Sequence, residues 1–212
     1  MSAYQELSDC IISGKNNAAV DLTNQLLQQG ESAEHILNNG LLPGMSVVGK
    51  KFQAGEFFIP EMLLAARALN AALEILKPLL EASGAKPLAK VVIGTVSGDI
   101  HDIGKNLVGI MLKGGGFEVI DAGVDNSPQK FVDLVKEHQP GLIGLSALLT
   151  TTMPAMNDTI QALTKNGVRD GVKVMIGGAP ITEDYALRIG ADGYAKSAAE
   201  AVDLAKSLLA AA

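Results

Sequence analysis

Lys90–Val96 reads KVVIGTV, and Gly98–Asn106 just beyond it reads GDIHDIGKN. The first stretch is apolar at successive positions rather than alternate ones, which predicts a strand buried on both faces, as in a parallel sheet covered by helices. Three further runs share that character, FEVIDAG (Phe117–Gly123), GLIGLSAL (Gly141–Leu148) and VKVMIGGA (Val172–Ala179), and a weaker one, DGYAK (Asp192–Lys196), follows. Helix-like amphipathic segments separate them. Strand and helix in alternation predict a doubly wound, flavodoxin/Rossmann-like α/β unit with five parallel strands and helices on both faces.

Working back from Lys90, the pattern changes. From Ala3 to Leu80 the apolar residues recur at helical spacing, as in LSDCII, VDLTNQLL and MLLAARALNAALEILKPLL, with no strand-like alternation. Four helices of bundle length fit. Asn17 is placed to cap the second, Ser32 the third, and Gln53–Pro60 marks the turn into the long fourth. Glu81–Ala89, EASGAKPLA, has the glycine, proline and small residues of an exposed connection. The expected organisation is a helical bundle over residues 1–82, a hinge over 83–89 and an α/β domain over 90–212.

Composition narrows the function. The net charge is −6, with 17 Lys and Arg spread along the chain, and a nucleic-acid surface needs a basic stripe. No uncharged apolar run approaches the roughly 18 to 20 residues that span a bilayer, and no basic and apolar leader opens the sequence. A soluble cytoplasmic protein with no nucleic-acid or membrane partner is expected. The single cysteine, Cys10, offers neither an internal disulfide nor a CxxC pair. Aromatic residues make up 4% and tryptophan is absent, so a large flat ligand must be held by backbone, aliphatic and small polar groups.

In doubly wound sheets, ligands bind at the carboxyl ends of the strands. GDIHDIGKN follows the first strand, SALLTTT the third and GGAPIT the fourth, so all three gather at one edge. A phosphate loop is disfavoured there: Gly98 and Gly104 have neither Walker nor GxGxxG spacing. A phosphorylatable switch would want an acidic pair directly after the first strand and an aspartate ending the third, where Ser146 stands instead. A hydrolase with His101 as base lacks a GxSxG elbow.

Asp99, His101 and Gly104 form DxHxxG; after 41 residues come Ser146 and Leu148 as SxL, and after 28 more come Gly177 and Gly178. These motifs and intervals resemble the cobalamin-binding domain that takes its cofactor base-off and His-on, as in methionine synthase, the cobalamin mutases and the small corrinoid proteins of anaerobic methyl transfer. The resemblance implies cobalamin or a related corrinoid as cofactor, with His101 as the cobalt ligand. Asp99 matches the carboxylate that holds the second imidazole nitrogen, fixing the tautomer and raising ligand basicity. Thr152, six positions after Ser146, matches a hydroxyl residue that completes this triad. Gly98, Ile103, Gly104, Leu148, Gly177 and Gly178 fall in the motifs that line the slot for the displaced nucleotide tail, and Ser146 and Thr150 match positions that hydrogen-bond it. Asp102 is better placed to cap the helix that starts at Ile103. Lys105 has no role in the resemblance.

The stretch Met45–Leu69, MSVVGKKFQAGEFFIPEMLLAARAL, resembles the helical cap that precedes this domain in the same family, where apolar side chains cover the corrin. Phe52, Ile59 and Met62 fall at the covering positions. The resemblance runs from about Leu7 to the final GADGYAKSAAEAV and leaves out any barrel, reactivation domain or helix-turn-helix module. It implies a corrinoid carrier, not an autonomous enzyme, cycling between cobalt(I) and methyl-cobalt(III). Its expected partners are a donor-specific methyltransferase, a second methyltransferase acting on tetrahydrofolate or coenzyme M, and a reductive activation protein. Methoxylated aromatics, methylamines, methanol and betaines are all open as donors. The alternative is a non-catalytic cobalamin sensor or storage protein; a sensor would need an output module.

Overall fold

The computed structural model describes residues 2–84 and 86–210, apart from the side chain of Glu81. The chain falls into two compact units that change over between Pro87 and Leu88, with Gly114–Gly116 grouped with the first. Ala85, within the expected hinge, lies outside the described residues.

The first unit is helical. α1 (Ala3–Ile12) and α2 (Asn16–Gln28) are followed by α3 (Ala33–Ile36), which passes through a π-helical turn, Leu37–Leu41, straight into α4 (Leu42–Gln53); α5 (Ile59–Ser83) completes it. Because α3, the π turn and α4 run without a break, the unit has the four rods that the periodicity predicts. The Ser32 hydroxyl caps α3 by accepting from His35 N–H at 3.1 Å. Asn17 does not cap α2: the first helical bond is Ala19 N–H to the Lys15 carbonyl, which places Asn17 inside the first turn. At α5 the expected turn is present, and Glu61 reaches back to accept from Phe58 N–H at 3.0 Å.

The second unit alternates strand and helix: β1 (Lys90–Thr95), α6 (Ile103–Gly114), β2 (Glu118–Asp121), α7 (Pro128–His138), β3 (Leu142–Ser146), α8 (Pro154–Lys165), β4 (Lys173–Gly177), α9 (Glu183–Ile189), β5 (Gly193–Tyr194) and α10 (Ala198–Ala210). All five strands are parallel, in the order β2-β1-β3-β4-β5. Val92, Val96, Ile143, Leu145, Val174 and Ile176 turn one way, into a core closed by Phe131, Val132 and Val135 of α7 and Met156, Ile160 and Leu163 of α8. Val91, Ile93, Leu142 and Met175 are buried on the other face, where Gly109 of α6 lies against Ile93 and Val119. This two-sided burial is why the strands read as continuous apolar runs.

The strand order reverses direction between β1 and β3, which opens the crevice where such folds bind ligands. The register puts Thr95, Ser146 and Gly177 side by side at the carboxyl edge. The three loops that carry the sequence motifs therefore start from one row.

Candidate functional site

The site is organised around a buried carboxylate. Leaving β1, the chain turns at Val96–Asp99, closed by Asp99 N–H to the Val96 carbonyl at 3.2 Å, and Gly98 takes φ +79, a conformation that disfavours a β-carbon. The turn drives the Asp99 side chain inward, where it has no solvent exposure. Asp99 Oδ1 accepts from His101 N–H at 3.0 Å and lies 2.7 Å from His101 Nδ1. Its Oδ2 accepts from the N–H groups of Leu148 at 2.8 Å and Leu149 at 3.4 Å, and from the Thr152 hydroxyl at 2.8 Å.

Burial alone would raise the Asp99 carboxyl. The His101 and Leu148 amides, the His101 ring and the Thr152 hydroxyl more than offset that and hold it well below the usual carboxylate range. An ionised acceptor on Nδ1 selects the tautomer that carries its proton there, because only that form donates to the carboxylate. Nε2 is then the free lone pair, on a side chain that is 47% exposed. Thr152 Oγ1 also lies 2.9 Å from the Leu149 carbonyl; its one proton favours the charged acceptor.

Of the three motif residues expected to form a triad, Asp99 thus contacts both His101 and Thr152. The other predicted positions sit as follows. Ser146 ends β3 half-buried, while Leu148 and Thr150 are exposed on the loop beyond it. Gly104, in the first turn of α6, has nothing within 4 Å of where a β-carbon would stand, so a ligand can approach it. Ile103 is exposed, as is neighbouring Ile100. The Asp102 carbonyl accepts the first bond of α6, from Asn106 N–H, while its carboxylate holds the Asn106 side chain at 3.1 Å. At Gly178, φ is +137 and a β-carbon would fall on the Ala147 carbonyl oxygen, so this glycine packs loop against loop. In the helical unit, Ile59 is exposed and Phe52 half-buried, whereas Met62 has no exposure.

Lys105 has a structural role that the sequence motifs do not indicate. Its side chain is buried, and its ammonium donates to both oxygens of Asp121 at 2.6 and 2.7 Å and to Asn106 Oδ1 at 2.7 Å, pinning the first turn of α6 to the end of β2. Burial would raise the Asp121 carboxyl, but the Lys105 ammonium and the Gly123 amide bring it below its ordinary value. Asp121 is half-exposed, so the pair is asymmetric. Asp121→Ala, which strands a buried ammonium, is expected to cost about 1–2 kcal/mol, less than for a fully buried pair. Lys105→Met, which leaves a carboxylate that water can reach, should cost under about 1 kcal/mol. Urea midpoints of the two variants check the order; equal losses would contradict it.

The Leu148 and Leu149 amides are the part of the site that residue types do not announce, since every residue but proline carries the same donor.

Among the described residues, no group of three or more His, Cys, Asp or Glu side chains is placed to hold a metal ion. A single imidazole whose second nitrogen is held by a carboxylate can give one ligand to a metal. Exposed Ile100, Ile103, Leu148 and Leu149 near it, with open space at Gly104, are the surroundings a large, mostly apolar ring requires.

Comparison with known proteins agrees with that chemistry. B12 binding domain models match residues 3–77 and 89–203. Dimethylamine corrinoid protein 2 of Methanosarcina mazei is 47% identical over 206 residues, covering 97% of this chain and 96% of its own. A cobalamin-binding protein from Desulfitobacterium hafniense DCB-2, 34% identical, superposes with a TM-score of 0.81 over 98% of this chain and 99% of its own. The methanol:cobalamin methyltransferase complex MtaBC of Methanosarcina barkeri matches at 28% identity and a TM-score of 0.88, over 99% of this chain and 80% of that one. With both of its units matched and a relative of equal extent, the chain belongs to the B12-binding corrinoid proteins of methyltransferase systems.

Proposed function

We propose that this protein is the methyl carrier of a multi-component methyltransferase system, serving a donor-specific methyltransferase on one side and a corrinoid-to-acceptor methyltransferase on the other. A bound corrinoid supplies a cobalt centre that accepts and releases a methyl group. The observation that carries the reading is the Asp99–His101 pair: a buried carboxylate 2.7 Å from Nδ1, with Nε2 left to act as lower ligand. Nε2 binds metal only when unprotonated. Asp99 keeps the Nδ1 proton on one oxygen and the Thr152 hydroxyl on the other, which leaves Nε2 as a lone pair. The three residues therefore hold the imidazole in the tautomer and orientation that ligation needs.

Ser146 and Thr150 are assigned to the nucleotide tail, beside Gly98, Gly104, Gly177 and Gly178. Phe52, Ile59 and Met62 are assigned to the cap, where apolar cover excludes water and oxygen from a reduced metal. The 83–89 segment then acts as the hinge between the 1–82 and 90–212 domains. Likeness to a dimethylamine corrinoid protein favours a methylamine as donor. Tetrahydrofolate or coenzyme M as final acceptor, a reductive activation protein as third partner and the cytoplasm as setting complete the proposal, on the motif resemblance alone.

Two experiments test this. Reduced, cobalamin-loaded protein mixed with a methylamine methyltransferase and its substrate should show the visible-spectrum change of cobalt methylation; no change with any candidate donor overturns the carrier role. His101→Ala should shift the bound cofactor's spectrum to the base-off form, and an unchanged spectrum overturns axial ligation by His101.

A further inference from the structure

The turn that presents Asp99 and His101 is gripped from another loop, the one between β2 and α7. Two hydrogen bonds run in opposite directions between that turn and Asp125. Gly98 N–H donates to Asp125 Oδ1 at 2.7 Å, and Asp125 N–H donates to the Asp99 carbonyl at 2.9 Å. They hold the peptide groups on either side of the Gly98–Asp99 pair.

Asp125 does this from φ +51, in the left-handed region where aspartate is tolerated and glycine is easier. A glycine there would relieve the backbone and keep the N–H donor. The acceptor for Gly98 N–H is what only the side chain supplies.

Asn126 grips the other end of the same loop. It is buried, and its N–H and Nδ2 both donate to the Thr95 carbonyl, at 3.0 and 2.8 Å. The Thr95 hydroxyl in turn donates to the His101 carbonyl at 2.8 Å. His101 is therefore held at its backbone by a relay separate from the Asp99 contact to its ring.

We propose that Asp125 is a positioning residue for the corrinoid's lower ligand. By bridging the peptides that flank Gly98 and Asp99, it fixes the direction in which the His101 imidazole is offered. It acts through the loop and not on the imidazole, and its role is distinct from that of Asp99, which selects the tautomer. The division has a physical reason: a metal ligand must be aimed as well as basic, and a loop beyond a strand end lies outside the hydrogen-bond ladder that holds the sheet. The proposal rests on the reading of His101 as the axial ligand.

The test compares Asp125→Gly, which removes the acceptor and the strain, with Asp125→Asn, which keeps an acceptor oxygen and tolerates positive φ. In the full chain without cofactor, amide hydrogen exchange at Gly98 should be roughly tenfold faster in Asp125→Gly and close to wild type in Asp125→Asn. With cobalamin bound, Asp125→Gly should show a larger base-off fraction in the visible spectrum, Asp125→Asn should match wild type, and His101→Ala should mark the base-off limit. A wild-type spectrum for Asp125→Gly beside a shifted His101→Ala overturns the positioning role alone. Equal shifts in both Asp125 variants also overturn it, since the acceptor would then not be the cause. An unshifted His101→Ala overturns the axial reading, and the positioning role with it.

Discussion

Asp99→Asn is expected to destabilise the protein by about 2–4 kcal/mol although it changes neither size nor shape. The carboxylate receives five donors, the N–H groups of His101, Leu148 and Leu149, the Thr152 hydroxyl and His101 Nδ1, and it receives them with no solvent exposure. An asparagine amide must turn its NH2 toward one side of this set. Facing Oδ2's partners it meets two backbone donors that cannot rotate; facing Oδ1's partners it meets the His101 amide, and only the ring can adapt by changing tautomer. Either way at least one backbone N–H loses its acceptor beside a buried side chain. The same substitution should flatten the acid dependence of stability. Since the folded state holds this carboxyl below its unfolded value, the unfolded chain binds the extra proton; the contribution is fully present above about pH 4 and is lost as pH falls toward the folded pKa. Urea midpoints at pH 7 and pH 3 should therefore fall further for wild type than for Asp99→Asn, and equal slopes would show that the carboxylate does not carry this term.

The fold was legible because its sheet is buried on both sides. Val91 and Val92 face opposite cores and both must be apolar, which produces a run that helical spacing does not imitate over so few residues. Strand β5 was faint for the converse reason: Gly193–Tyr194 is two residues long and only half-buried, so little of it had to be apolar. The switch from helical to strand periodicity after Leu80 marked the change of architecture. The π turn at Leu37–Leu41 left no such mark, because it adds one residue to a turn without changing the apolar face much.

At the site, the side chains were legible and the backbone was not. Asp99, His101 and Thr152 were picked out by resemblance, DxHxxG matching the family's motif and Thr152 matching its hydroxyl position six residues after Ser146. Leu148 N–H and Leu149 N–H do as much for Asp99 as the Thr152 hydroxyl, yet no residue type reports a backbone donor. Lys105 and Asp125 were hidden for another reason. Their partners, Asp121 and Gly98, are distant in sequence, and only the pairing of β1 with β2 brings them within reach.

Among the glycine-to-alanine changes in the α/β unit, Gly178→Ala should be the most damaging, with a cost of about 3–5 kcal/mol. The residue sits at φ +137, where an L side chain is strained whatever the space around it, and there is no space, because the new β-carbon would fall on the Ala147 carbonyl oxygen. Backbone cannot swing aside as a flexible side chain does. Moreover, the Ala147 carbonyl and the Leu148 N–H belong to one peptide group, and that N–H donates to Asp99 Oδ2 at 2.8 Å. Pushing the carbonyl away therefore drags a donor off the carboxylate, so the loss of stability and the loosening of His101 should arrive together. Gly104→Ala separates the two effects. Its β-carbon meets nothing within 4 Å, and alanine favours a helix over glycine by up to about 1 kcal/mol, so the cofactor-free protein should hold or gain stability while cobalamin uptake weakens if the ligand approaches there. Denaturation midpoints without cofactor, set beside cobalamin titrations of both variants, decide the matter. Should Gly178→Ala fold as well as wild type, the loop-against-loop packing at Ala147 is not what holds this edge of the sheet; should Gly104→Ala bind cobalamin unchanged, the open space at α6 is not part of the slot.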